Sequence, residues 1–146
     1  MYKRQTKNCT ESLNLAILGT VRPGDEDLCS HAEHNAGMRP LARLVNQGVI
    51  TVKVLQPDEN GLLSPDTLQA AVTPKTRLAV ICHASNVTGV IQPVAQLGAV
   101  CRRLGVTLLV DAAQTAGILD VTLEGLNADM IAMPGHKGLL LSLIHI

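Results

Sequence analysis

The chain has 146 residues, enough for one domain with a core of its own. Its 12 Lys and Arg balance its 12 Asp and Glu, so no basic stripe points to nucleic acid and no acidic run to a disordered tail. Tyr2 is the lone aromatic side chain, which argues against base-stacking platforms and ring-lined sugar clefts and leaves an aliphatic composition suited to a parallel sheet covered by helices on both faces.

In chain order, "ESLNLAILG" reads as a short helix with Asn8 or Thr10 as its N-cap. "RPGD" is a turn and "EDLCS" a short strand. "AGMRPLARLVNQG" is helical and stops at a glycine, with Pro40 kinking it or marking its first turn. "VITVKVL" alternates and is β-branched, hence a strand. After the turn "DENGLLSP", "PDTLQAAV" is a helix capped by Ser64 with Pro65 at its first position. "RLAVICH" is a strand buried on both sides. "QPVAQLGAVCRRLG" is a helix whose Val94, Leu97, Cys101 and Leu104 form one apolar face. "VTLLVD" and "ADMIAM" complete the strands. The alternation predicts an α/β fold: a three-layer α/β/α sandwich with a mostly parallel sheet and right-handed crossovers.

The four cysteines, Cys9, Cys29, Cys82 and Cys101, form no C-x-x-C pair, which suits reduced thiols better than a disulfide framework. No apolar run approaches the roughly 20 residues that span a bilayer. The start "MYKRQTKN" lacks the apolar core of a signal peptide. The expectation is a cytoplasmic protein with no membrane and no nucleic-acid partner.

Ligands of such sheets bind at the carboxyl ends of the strands, and the polar residues gather there. One strand delivers His83, Ser85 and Asn86, the next Asp111 and Gln114, the last His136 and Lys137. Asp111, after four aliphatic residues, needs a partner; it either caps the turn "AAQTAG" or holds a proton on a heterocyclic nitrogen, turning that ring into an electron sink. Gln114 is either an exposed polar residue or a donor to an oxygen on the same ring. Lys137 is either a surface charge or, desolvated between His136 and Gly138, an amine able to attack an aldehyde. An acid followed downstream by such a lysine is the pair that pyridoxal phosphate requires. "NCTESLN" offers a helix N-terminus for the phosphate, with the Thr10 hydroxyl as a further donor, though a plain N-cap explains it equally. In "CSHAEH", Cys29, His31 and His34 raise a zinc site, but no second ligand pair follows; His34 stacked on a flat ring is the better functional role.

These segments together resemble the class V, fold-type I pyridoxal-phosphate enzymes, and among them the cysteine desulfurases, from about Thr6 to Leu140. "NCTESLNLAILG" is similar to the family's phosphate-binding segment, which brings in Cys9, Thr10 and Glu11. "EHNAGMRPL" carries the stacking histidine, His34, and "HASNVTGVIQP" the asparagine, Asn86. "LLVDAAQTAG" supplies Asp111 for the pyridine nitrogen and Gln114 for the ring hydroxyl. "GHKGLL" supplies His136 and the Schiff-base lysine, Lys137. The resemblance implies pyridoxal 5'-phosphate as cofactor, Lys137 and His34 as catalytic residues and no metal. It implies L-cysteine as the substrate, desulfurated to L-alanine, with a homodimer and a sulfur-acceptor protein as partners. Class V transamination, selenocysteine lysis and a non-catalytic nucleotide- or metal-binding α/β domain are the alternatives.

Two departures stand out. Where the family commonly has a serine or threonine just before "GHK", this chain has Pro134, with neither hydroxyl nor N–H. The family's substrate-binding arginine and sulfur-accepting loop cysteine fall beyond "GHKGLL", and none of the four cysteines aligns with that nucleophile. Residues 1–5 and the tail 141–146 resemble translated sequencing-adapter read-through. The expectation is thus a partial coenzyme-binding large domain over residues 6–140, with non-native ends, inactive by itself.

Overall fold

The computed structural model describes residues 3–141. It contains α1 (Cys9–Thr20), β1 (Glu26–Ser30), α2 (Asn35–Asn46), β2 (Thr51–Leu55), α3 (Pro65–Ala71), β3 (Thr76–Cys82), α4 (Val94–Leu104), β4 (Thr107–Asp111) and β5 (Met130–Ala132). The five strands form one sheet in the order β2-β1-β3-β4-β5, and every pairing is parallel.

Strand side chains alternate between two cores. Leu28, Ala79, Ile81, Leu108 and Val110 pack with α3 and α4 on one face. Cys29, Leu78, Val80 and Leu109 pack with α1 and α2 on the other. The three-layer sandwich read from the sequence is therefore the fold, and it explains the unbroken aliphatic runs of β3 and β4. β2 is an edge strand with only Leu55 buried.

The helix ends follow local chemistry, with some surprises. Asn8, not Thr10, caps α1: its side chain accepts from Glu11 N at 2.9 Å. Ser64 caps α3 as expected, accepting from Thr67 N at 3.0 Å. Pro40 lies inside α2 and leaves the Ala36 carbonyl without its helical donor; the Asn14 side chain of α1 reaches that oxygen at 3.5 Å. In α4 the expected apolar face holds at Val94, Leu97 and Cys101 but not at Leu104, which is 40% exposed. The helix ends there, at Gly105 in the left-handed conformation (φ 70°), beyond the reach of the core. The β4–β5 connection holds no α-helix; turns carry Leu123, Leu126 and Ala128 onto the α4 side of the sheet.

At the ends of the chain, Lys3–Gln5 are exposed, and Leu141 N donates to Gly135 O at 2.8 Å. The remainder of both terminal segments, residues 1–2 and 142–146, lies outside the described residues. No helix of the described residues is long and apolar enough to cross a membrane.

Candidate coenzyme site

A cavity of about 220 Å³ opens at the carboxyl edge of the sheet. It is smaller than the roughly 300–1,000 Å³ of most ligand pockets, a size suited to one substituted ring rather than a dinucleotide. The end of β3 supplies Cys82 and Asn86, the end of β4 supplies Asp111 and Gln114, and the segment after β5 supplies Pro134, His136 and Lys137. The first turn of α1 adds Cys9 and Thr10, and the start of α2 adds His34.

Asp111 is 3% exposed at the last position of β4. Its Oδ1 accepts from Ala113 N at 2.9 Å and faces the Cys9 thiol at 3.8 Å. It thus caps the following turn and fronts the cavity at once. Among the described residues no hydrogen bond reaches Oδ2. Burial pushes the Asp111 carboxyl up from its ordinary value; the Ala113 N–H, His34, Cys9 and Lys137 pull it down but do not win. A cationic N–H placed against Oδ2 would reverse that balance.

His34 is the N-cap of α2: its Nδ1 accepts from Ala36 N at 3.1 Å. That bond fixes the ring on the cavity wall and leaves the Nε2 edge free to carry the proton. Histidine is not a residue one looks for at a cap, so this role was not legible beforehand.

At α1, Asn8 takes the Glu11 N–H; the Cys9 and Thr10 N–H groups carry no hydrogen bond among the described residues, and both residues line the cavity. Free N–H groups at the positive end of a 12-residue helix favour an anion over a neutral group. Glu11, expected at this end of the cavity, is not part of it. It is exposed, and its carboxylate folds back to accept from Lys7 N at 2.6 Å.

Lys137 is exposed, so the described residues do not desolvate it as the sequence led one to expect. The glycine beside it makes room for the chain itself: a methyl group at Gly138 would run into the Ala116 carbonyl oxygen. The other rim residues turn elsewhere. His83 is buried with Nδ1 2.9 Å from Thr115 Oγ1, and burial lowers its pKa, so it stays neutral. Ser85 Oγ accepts from Val87 N and Thr88 N, both at 3.2 Å, which makes it a turn cap. The zinc alternative finds no support. Cys29 is buried with Sγ 3.8 Å from Met38 Sδ, His31 is exposed, and among the described residues no three ligating side chains converge.

One acid escaped the sequence reading. Glu33 lies in the polar loop between β1 and α2, where composition suggests solvent. Instead its Oε1 accepts from Ser30 Oγ and Cys82 N, and its Oε2 is buried without a partner.

The sequence profile of the class-V aminotransferases matches residues 5–141. The chain belongs to that family. Its similar proteins include a probable cysteine desulfurase of Methanothermobacter thermautotrophicus, 38% identical over 136 residues, which are 92% of this chain and 34% of that protein. The apo cysteine desulfurase of Thermococcus onnurineus NA1 superposes with a TM-score of 0.84 at 34% identity, covering 91% of this chain and 34% of that one. The structure of SspA in complex with cysteine gives a TM-score of 0.83 at 30% identity, over 91% of this chain and 41% of that one. The chain thus spans about a third of the length of the desulfurases it matches.

Proposed function

We propose that this chain is the coenzyme-binding part of a pyridoxal 5'-phosphate-dependent cysteine desulfurase, which converts L-cysteine to L-alanine and passes the sulfur to a cysteine thiol outside these residues. The observation that carries the reading is the meeting of a buried Asp111, Lys137 and a helix N-terminus at one ring-sized cavity. Sequence and structural similarity to desulfurases favours this reaction over transamination or selenocysteine lysis on the same scaffold. The bound cysteine of SspA supports the substrate.

The residues present fit the coenzyme. Asp111 Oδ2 would hold the proton on the ring nitrogen, and Gln114 and Asn86 would face the ring's substituents. The His34 imidazole would cover one face. Cys9 N–H, Thr10 N–H and the Thr10 hydroxyl would take the phosphate, with His136 supporting either that end or the lysine; Pro134 has no donor to add. Lys137 Nζ would anchor the coenzyme and carry the substrate α-proton. When bound, pyridoxal phosphate supplies an electron sink for charge developing at the substrate α-carbon. Substrate-carboxylate recognition and the sulfur-accepting thiol belong to the remainder of a longer enzyme. A homodimeric assembly, a sulfur-acceptor protein and a cytoplasmic setting are part of the same proposal.

The test is titration of the chain with pyridoxal phosphate. A visible absorbance band should appear, survive gel filtration and vanish in Lys137→Ala. After borohydride reduction, peptide mass spectrometry should find the label on Lys137. No band, or a label scattered over Lys3, Lys53 and Lys75 and unchanged in Lys137→Ala, would sink the proposal. In the full-length enzyme, alanine and persulfide formation from L-cysteine separates desulfuration from transamination.

A further inference from the structure

Glu33 is the acid that the site described above does not use. It directly precedes His34, and its Oε1 is shared by a hydroxyl from the end of β1, Ser30 Oγ, and a backbone N–H from the end of β3, Cys82 N. Cys82 lines the cavity and pairs with Asp111 in the β3–β4 register. The Oε2 atom is shut off from solvent without a partner, close against Gly37 of α2, where an added methyl would stand 3.3 Å from it. The groups that face this carboxyl are Cys29 from β1, Cys82 from β3 and Asp111 from β4; no cation among the described residues offsets it.

An ionised carboxylate in that setting would be a buried charge with a second carboxylate nearby, a strongly unfavourable arrangement. A carboxylic acid meets the same neighbours at far lower cost, because its carbonyl oxygen still accepts from both donors and only a neutral O–H is left without an acceptor. We propose that Glu33 is a positioning residue: as an uncharged acid it ties the ends of β1 and β3 together beneath the cavity, holding His34 on the wall and leaving Asp111 as the one anion at the coenzyme ring. The inference rests on the coenzyme reading above. Burial pushes the Glu33 carboxyl up to about 8, against the pull of the Ser30 and Cys82 hydrogen bonds, which agrees with the neutral form near pH 7.

Two independent readouts test this. Difference infrared spectroscopy of the coenzyme-free chain, parent minus Glu33→Gln, should show the carbonyl stretch of a protonated carboxyl at pH 6.5 that fades as pH passes about 8. An ionised-carboxylate signal throughout overturns the proposal. Second, the affinity for pyridoxal phosphate is measured from pH 6.5 to 9 by the visible band. The parent should show a component falling through about pH 8 that Glu33→Gln lacks, while steps due to Lys137 and the coenzyme persist in both. Glu33→Ala, which strands the Cys82 N–H, should bind at least tenfold more weakly. Identical pH profiles for parent and Glu33→Gln, or Glu33→Ala binding within twofold of the parent, overturn it. If Glu33→Ala does not fold, the infrared signal and the Glu33→Gln profile decide. Absence of any visible band in the parent instead strikes the coenzyme reading, and the infrared result then stands alone.

Discussion

The Cys9 thiol, in the first turn of α1, lies 3.8 Å from Asp111 Oδ1 at the end of β4, 102 residues away in sequence. The contact joins the helix whose first turn is the proposed phosphate cradle to the strand that ends in the buried acid. It also holds the thiol in its protonated form. Burial and then the Asp111 carboxylate push Cys9 up to about 12 from its ordinary 9.0.

A consequence is chemical inertness. At pH 8 a thiol with a pKa near 9 is about one-tenth thiolate, whereas one near 12 is about one part in ten thousand. Cys9 should therefore alkylate far more slowly with iodoacetamide than a solvated cysteine. Asp111→Asn keeps the acceptor for Ala113 N but removes the charge, so Cys9 should then react several-fold faster. Mass spectrometry of the Cys9 peptide reads the rate, with buried Cys29, Cys82 and Cys101 as references in the same digest. An unchanged rate in Asp111→Asn would show that burial alone controls this thiol.

A second expectation concerns stability against pH. Asp27 of β1 is wholly buried, its Oδ1 accepts from Leu78 N at 3.0 Å, and its Oδ2 has no partner. Burial raises its pKa from 3.8 to about 6, against the pull of the Leu78 N–H. The folded state therefore holds this proton more tightly than the unfolded chain. The stability it contributes is complete below about pH 3.8 and is lost as pH rises through about 6. The loss is on the order of 2–3 kcal/mol between pH 4 and 7. Asp27→Asn cannot titrate, so the difference in urea midpoint between variant and parent should shift in the variant's favour over that interval and level off above it. A constant difference at pH 4 and pH 7 would mean that Asp27 does not titrate there.

Asp27 and Glu33 mark the limit of what the sequence disclosed. Elements carried by periodicity were legible: β3 and β4 as aliphatic runs, α4 by its three-and-four spacing, α3 by Ser64 and Pro65. The site was legible too where strands end in polar residues, since a parallel sheet leaves one rim for Asn86, Asp111 and Lys137 to share. What stayed hidden depends on three-dimensional neighbours. An acid in the short run "GDEDL" or the loop "SHAEH" looks solvated, and nothing local says that Leu78 N or Cys82 N will claim it. His34 as a cap, Leu104 beyond the core and Glu11 turned back on Lys7 are of the same kind: each is decided by where an element ends, the feature a pattern specifies least.

The last prediction separates room for a ligand from room for the chain. Gly138 follows Lys137 and packs against the turn at Ala116, while Gly117 lies in the left-handed region (φ 82°) with its Cβ direction 2.5 Å from the Gly138 carbonyl carbon. The two segments after β4 and β5 thus meet backbone to backbone, and that meeting holds the turn that carries Lys137. A methyl group at Gly138 would run into the backbone carbonyl of Ala116, which cannot swing aside as the exposed Ile118 side chain, with Cγ1 at 2.9 Å, can. Gly138→Ala should cost roughly 1–3 kcal/mol by overpacking and, by moving Lys137, should weaken the visible band of bound pyridoxal phosphate more than global stability alone explains. Gly98→Ala is the matched control. Its methyl would strike the Leu126 carbonyl on the α4 face, away from the cavity, and outweigh the helix preference of about 1 kcal/mol for alanine over glycine. It should lower the denaturation midpoint by a similar amount yet leave the coenzyme band of the folded fraction intact. Equal loss of the band in both variants, at matched folded fraction, would show that the Gly138 contact supports the fold and does not aim the lysine.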